Sequence, residues 1–171
     1  MRKLNEEDVR KRLESCTDTG VTDELYDFGK TLVSEIVERH NRLEGKAATI
    51  AAYSIGIITL LASTYANWIN RGISLGVLIT VLAALTAVVF CVLSLKLERF
   101  DGISQTEWFQ KDVLDDRETL RRFHVLTMWG VFASHEVVTE KKASWIAKAQ
   151  FALLIAAISI VASLGYAIIV L

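Results

Sequence analysis

The chain has 171 residues, of which 52% are hydrophobic and 23% charged, with a formal net charge of −1 and no proline. Its apolar residues are pooled: 47–69, 73–95 and 149–171 are three runs of 23 residues without Asp, Glu, Lys or Arg. That pooling argues against a soluble enzyme and against a β-barrel, whose strands alternate apolar and polar residues; the near-neutral charge argues against a nucleic-acid binder.

In chain order, Met1–Arg10 is charged and has no apolar core, so it does not read as a signal peptide. A short helix is expected to begin near Asn5 and to break at Thr17-Asp18-Thr19-Gly20. Val21, Leu25, Phe28, Leu32, Ile36 and Leu43 then recur at three- and four-residue steps, the pattern of one helical face. Thr22 is the expected N-cap of this helix, with Asp23 and Glu24 in its first turn. The lack of proline lets it run on into the first apolar stretch.

As a helix, each run of 23 residues reaches about 35 Å, enough to cross a hydrocarbon core of about 30 Å. The first two form a hairpin, 47–95, around the tight turn Asn67–Gly72. After Asp101-Gly102, Ser104-Gln105-Thr106-Glu107 has the form of a capping box. Trp108, Val113, Leu120, Phe123 and Phe132 supply apolar positions beyond it, and Gly130 is a candidate interruption. The fold class expected is an all-α integral membrane protein with three transmembrane helices. Cytosolic helical segments, 1–46 and 96–148, precede span one and separate spans two and three; 149–171 is the third span. The apolar stripes of the two segments are expected to pack on each other or on another subunit.

Lys and Arg set the orientation. Residues 1–46 carry nine of them, 96–148 carry nine, and the turn carries only Arg71. Arg39, Arg42 and Lys46 precede span one, Lys96 and Arg99 follow span two, and Lys141, Lys142 and Lys148 precede span three. The N-terminus is therefore expected inside and the C-terminus outside. Trp68 and Trp145 fall at span ends, where aromatic anchors sit.

Chemistry-bearing patterns are few. Cys16 and Cys91 are placed apart by this topology, on a reducing inner side and within a span, so no disulfide is expected; Cys91 reads as a small packing residue. His40, His124 and His135 lack metal-ligand spacing and read as surface or packing residues. Asp112, Asp115, Asp116 and Glu118 lie beside Lys111, Arg117, Arg121 and Arg122, where local ion pairing accounts for them. No nucleotide-binding, hydrolase or metalloprotease motif is present, and no ionisable Asp, Glu, Lys or Arg lies within a span. The chain is not expected to be an enzyme, nor to need a metal or cofactor.

The spans do carry small residues at four-residue spacing: Ala52 and Gly56; Gly76, Thr80 and Ala84; Ala152 and Ala156, followed by Ser159 and Ser163. Such faces let helix backbones approach closely in lipid, either within one chain or between copies. Thr49, Ser54, Thr59, Ser63 and Thr64 of span one either line a pore built from several copies or hydrogen-bond back to their own helix, the reading preferred for each.

Two junctions carry a resemblance. Arg42-Leu43-Glu44-Gly45-Lys46-Ala47-Ala48-Thr49-Ile50 enters span one, and Lys142-Ala143-Ser144-Trp145-Ile146-Ala147-Lys148-Ala149 enters span three. Both resemble the lysine-alanine junctions of transmembrane effectors of Pycsar anti-phage systems, although Glu44-Gly45-Lys46 departs from that family's Asp-plus-Lys form. The layout over roughly residues 35–165 is similar too, and the SLATT membrane effectors share the inner-helix-plus-hairpin plan. The resemblance implies a bacterial inner-membrane effector, silent until a cyclic nucleotide or another infection signal appears. It would then oligomerise, impair the membrane and abort infection. The expected partners are the bilayer, further copies of the chain and a cyclic nucleotide made by a partner cyclase or nucleotidyltransferase. Arg42, Lys46, Arg121 and Arg122 are the candidate phosphate ligands, since the guanidinium fork suits phosphate; Arg121 and Arg122 point about 100° apart on a helix. A membrane scaffold that docks a cytosolic partner, and a small channel or transporter subunit, are the competing readings.

Overall fold

A computed structural model describes residues 6–64, 74–96 and 116–170. Every regular element among them is an α-helix: α1 (Glu6–Ser15), α2 (Thr19–Ser63), α3 (Ser74–Leu95) and α4 (Arg117–Val170). Helices α2, α3 and α4 are each long and apolar enough to cross a membrane. The turn between spans one and two, the Ser104–Glu107 capping box, Trp68, Trp108 and Val113 lie outside the described residues.

Aspartates set the starts of α2 and α4. α1 closes where the Cys16 amide donates to the Leu13 carbonyl (3.2 Å) and the Ser15 hydroxyl to that of Arg12 (2.9 Å). Asp18 then caps α2, its carboxylate accepting from the Gly20 amide at 2.8 Å. Thr22 is therefore not the cap: it sits one turn inside the helix, buried, with its hydroxyl donating to the Asp18 carbonyl. Asp23 and Glu24 accordingly fall beyond the first turn. Asp116 caps α4, accepting from the Thr119 amide (3.0 Å) and hydroxyl (2.7 Å) and from the Glu118 amide (3.3 Å). These bonds hold its carboxyl below the usual carboxylate range. Its role is capping rather than the ion pairing expected of it.

Two long helices run through expected boundaries. α2 continues from the N-terminal segment into the first apolar run, as the absence of proline suggests. α4 joins the second inner segment to the third apolar run, and Gly130 does not interrupt it. A mid-helix glycine costs only about 1 kcal/mol relative to alanine, too little to end a helix continued on both sides.

The chain forms two compact units. The first comprises Met1–His40 and Glu98–Thr139, the second Asn41–Leu97 and Glu140–Leu171. In the second unit α3 runs antiparallel to both neighbours. Leu61 of α2 packs with Val77 of α3, whereas Ala47 and Ile50 share a cluster with Ala87 and Cys91 further along α3. Gly76 meets Ser163 of α4, and Phe90 stacks on Trp145 earlier in α4, at 5.6 Å between ring centroids.

The packing of this unit is inverted relative to a soluble bundle. Its centre holds small residues, among them Ala47, Ala84, Ala87, Cys91, Ala149 and Ala156, all 0% exposed. Its periphery carries Tyr53, Leu60, Leu75, Leu82, Phe151 and Val161, each more than half exposed. The span-one hydroxyls turn inward on their own backbone. Thr49 donates to the Gly45 carbonyl (2.9 Å), Ser54 to Ile50 (2.9 Å), Thr59 to Ile55 (3.0 Å), and Ser63 (2.8 Å) and Thr64 (2.8 Å) to Leu60. The preferred reading of these side chains thus holds for all five.

Candidate functional site

In the first unit, α2 and α4 lie side by side. Asp23 pairs with Arg121, and three residues further along both helices Tyr26 faces His124, with ring centroids 5.9 Å apart. One more turn brings Gly29 against Met128. Steps in the same direction along both helices make them parallel. α1 joins them through Arg122, whose Nη2 donates to the Cys16 carbonyl at 2.7 Å and also pairs with Glu118 one turn back.

The candidate arginines therefore diverge, as their rotation about the helix requires. Arg121 reaches across to Asp23 on α2 rather than to the acidic neighbours of Arg117, and Arg122 secures the α1–α2 connection. Arg121 lines a hollow of about 410 Å³ with Asp23, Tyr26, Asp27, Arg117, Leu120 and His124. Two carboxylates stand there beside the two guanidinium groups, so a phosphate binding Arg121 competes with the Asp23 carboxylate. Arg42 and Lys46 belong to the second unit, where both are exposed. Between them in sequence, Glu44 accepts a hydrogen bond from Lys142 Nζ at 2.7 Å. Lys142 is buried, not a surface anchor.

The small residues also divide. Thr80, Ala84, Ala152 and Ala156 are buried inside the second unit and Gly76 is half-buried against Ser163, whereas Ala52 and Gly56 are exposed. A Cβ added at Gly56 meets nothing within 4 Å.

Two features of the first unit had no counterpart in the sequence reading. One is a polar cluster. His40 and His135 meet edge to face with ring centroids 6.1 Å apart, and Thr139, fully buried, lies one turn beyond His135 with no hydrogen-bond partner for its hydroxyl among the described residues. Burial, and secondarily the charge of His40, push the His135 pKa below the usual histidine value. The other is an apolar hollow of about 400 Å³ between α1, α2 and α4. Val21, Leu25, Phe28 and Leu32, the stripe of α2, form one wall; Val125, Met128, Trp129 and Phe132 of α4 form another. The stripe was legible as a helical face, but the three-residue steps do not say that part of it is left uncovered.

No protein family, curated protein or solved structure matches the chain.

Proposed function

We propose that the protein is an integral inner-membrane effector that answers an infection signal, assembles with further copies and impairs the bilayer. The observation that carries the membrane part is the inversion of the second unit. Large aliphatic and aromatic side chains point outward and alanine, serine and threonine point inward, the arrangement favoured where the solvent is lipid and close backbone approach drives association. The alternating directions of α2, α3 and α4 in that unit fit three consecutive spans. The Lys and Arg distribution supports a cytosolic side for residues 1–46 and 96–148. The effector part rests on the resemblance of the span-one and span-three junctions. A cyclic nucleotide or similar signal would act on this chain or on a partner.

A second reading, a membrane scaffold that docks a cytosolic protein, draws on the exposure of Val21, Leu25 and Phe28 in the first unit. One experiment separates the two. Membrane potential is followed in cells induced to express the chain, with and without a panel of cyclic nucleotides. The effector reading expects depolarisation and growth arrest on signal. A chain that inserts, as shown by external labelling of a cysteine placed at Arg71 but not at Lys30, and leaves the potential unchanged under every signal is a scaffold.

A further inference from the structure

The apolar hollow of the first unit is walled by side chains from α1, α2 and α4. Leu13 of α1, Leu25 and Leu32 of α2, and Met128 and Trp129 of α4 surround it, and Arg12 is the single charged side chain at its wall. No carboxylate lines it, and Arg12 has no ion pair among the described residues. We propose that this hollow binds a single-chain anionic amphiphile, a medium-chain fatty acid, with the acyl chain between α2 and α4 and the carboxylate on Arg12.

The chemistry of the wall selects that class. About 400 Å³ falls within the range of about 300–1,000 Å³ typical of small-molecule sites. Its lining gives methylene groups an apolar surface, and the thioether of Met128 adapts to an irregular chain. A nucleotide would bury a base and a sugar whose polar atoms find no partner here, and unsatisfied polar groups are costly. A neutral lipid would leave the guanidinium unused. Charge and shape are complementary to a ligand with one anionic end and an unbranched apolar body, and a guanidinium binds a carboxylate through two parallel hydrogen bonds. The assignment is independent of whether the second unit acts on the bilayer, so its test stands apart from the one above.

The lining supplies its own reporters. The full chain is placed in phosphatidylcholine nanodiscs and titrated with 12-bromododecanoate, whose bromine quenches a neighbouring indole. The expected result is saturable quenching that disappears in Trp129→Phe. Affinity falls about tenfold or more in Arg12→Gln, as loss of a charge-assisted hydrogen bond requires. The methyl ester of the same probe binds weakly and is indifferent to Arg12→Gln. Independently, unbrominated dodecanoate slows maleimide labelling of Cys16, which lines the same hollow. Quenching that never saturates, or persists in Trp129→Phe, reports partition into the bilayer and overturns the proposal. So does equal affinity in Arg12→Gln, or maleimide labelling that dodecanoate leaves unchanged in the unaltered chain.

Discussion

Lys142 Nζ lies 2.7 Å from Glu44 Oε1, with the lysine side chain 7% exposed and the glutamate 40%. The pair is asymmetric: the cation is enclosed and its counter-ion is open to solvent. Removing the partner of a buried charge costs about 3–5 kcal/mol; solvent access at Glu44 lowers the expectation for Glu44→Gln to about 1–3 kcal/mol. Converting both residues, Glu44→Gln with Lys142→Met, also removes the enclosed ammonium and is expected to recover most of that loss. Thermal unfolding of the two variants in nanodiscs checks the order; a double variant less stable than the single one contradicts it.

Gly76 and Gly56 occupy similar four-residue patterns with opposite surroundings. A Cβ at Gly76 would fall 1.9 Å from Ser163 Oγ and 3.2 Å from its Cβ, so Gly76→Leu forces α3 away from α4 within one chain. Gly56→Leu projects into open space. The first substitution is expected to lower the unfolding temperature of the monomer. The second is expected to leave it unchanged and to reduce crosslinking between copies if the exposed Ala52–Gly56 face joins them. Loss of crosslinking in neither variant removes that face from the assembly.

His135 has its pKa held below 6.5 in the folded chain. At pH above 6.5 the imidazole is neutral whether the chain is folded or not, and its contribution is fully present. As pH falls below 6.5 the unfolded chain takes up the proton first, so stability drops until the folded pKa is passed. Hydrogen exchange of amides near His40 and His135 is expected to accelerate between pH 7.5 and pH 5.5. Replacing His135 with Phe flattens this dependence.

Asp116 titrates with the same sign of consequence, in a more acidic window. Its carboxyl is held below 3.8 by the Thr119 and Glu118 donors, so the cap is intact above that pH and is lost as pH falls through the lowered value. Asp116→Ala is expected to fray the first turn of α4 at neutral pH, seen as faster exchange of the Glu118 and Thr119 amides, with the rest of α4 unaffected.

The three apolar runs and the continuity of α2 were legible because length, charge and the lack of proline act locally. The cap of α2 was not, because Asp18 and Thr22 are both capping residue types and the choice rests on which side chain reaches an amide two residues on. The pairing of Asp23 with Arg121 and of Glu44 with Lys142 was out of reach for a different reason. Helical periodicity fixes a face on each helix but leaves the sliding register between two distant helices undetermined. The same limit hides the difference between Gly56 and Gly76: spacing is a property of one helix, exposure a property of its neighbours. The diverging directions of Arg121 and Arg122 followed from rotation about the helix alone; their partners did not.

The parallel pairing of α2 with α4 has a consequence in time. Asp23 and Tyr26 wait for partners that lie 98 positions later in the chain, at Arg121 and His124. At about 5–20 residues per second of synthesis, that interval lasts roughly 5–20 s. Throughout it Val21, Leu25 and Phe28 are displayed on a helix whose companion has not been made. The first unit is thus completed only after both helices of the apolar hairpin have left the ribosome. A nascent chain arrested before residue 117 is the form most exposed to chaperones and proteases.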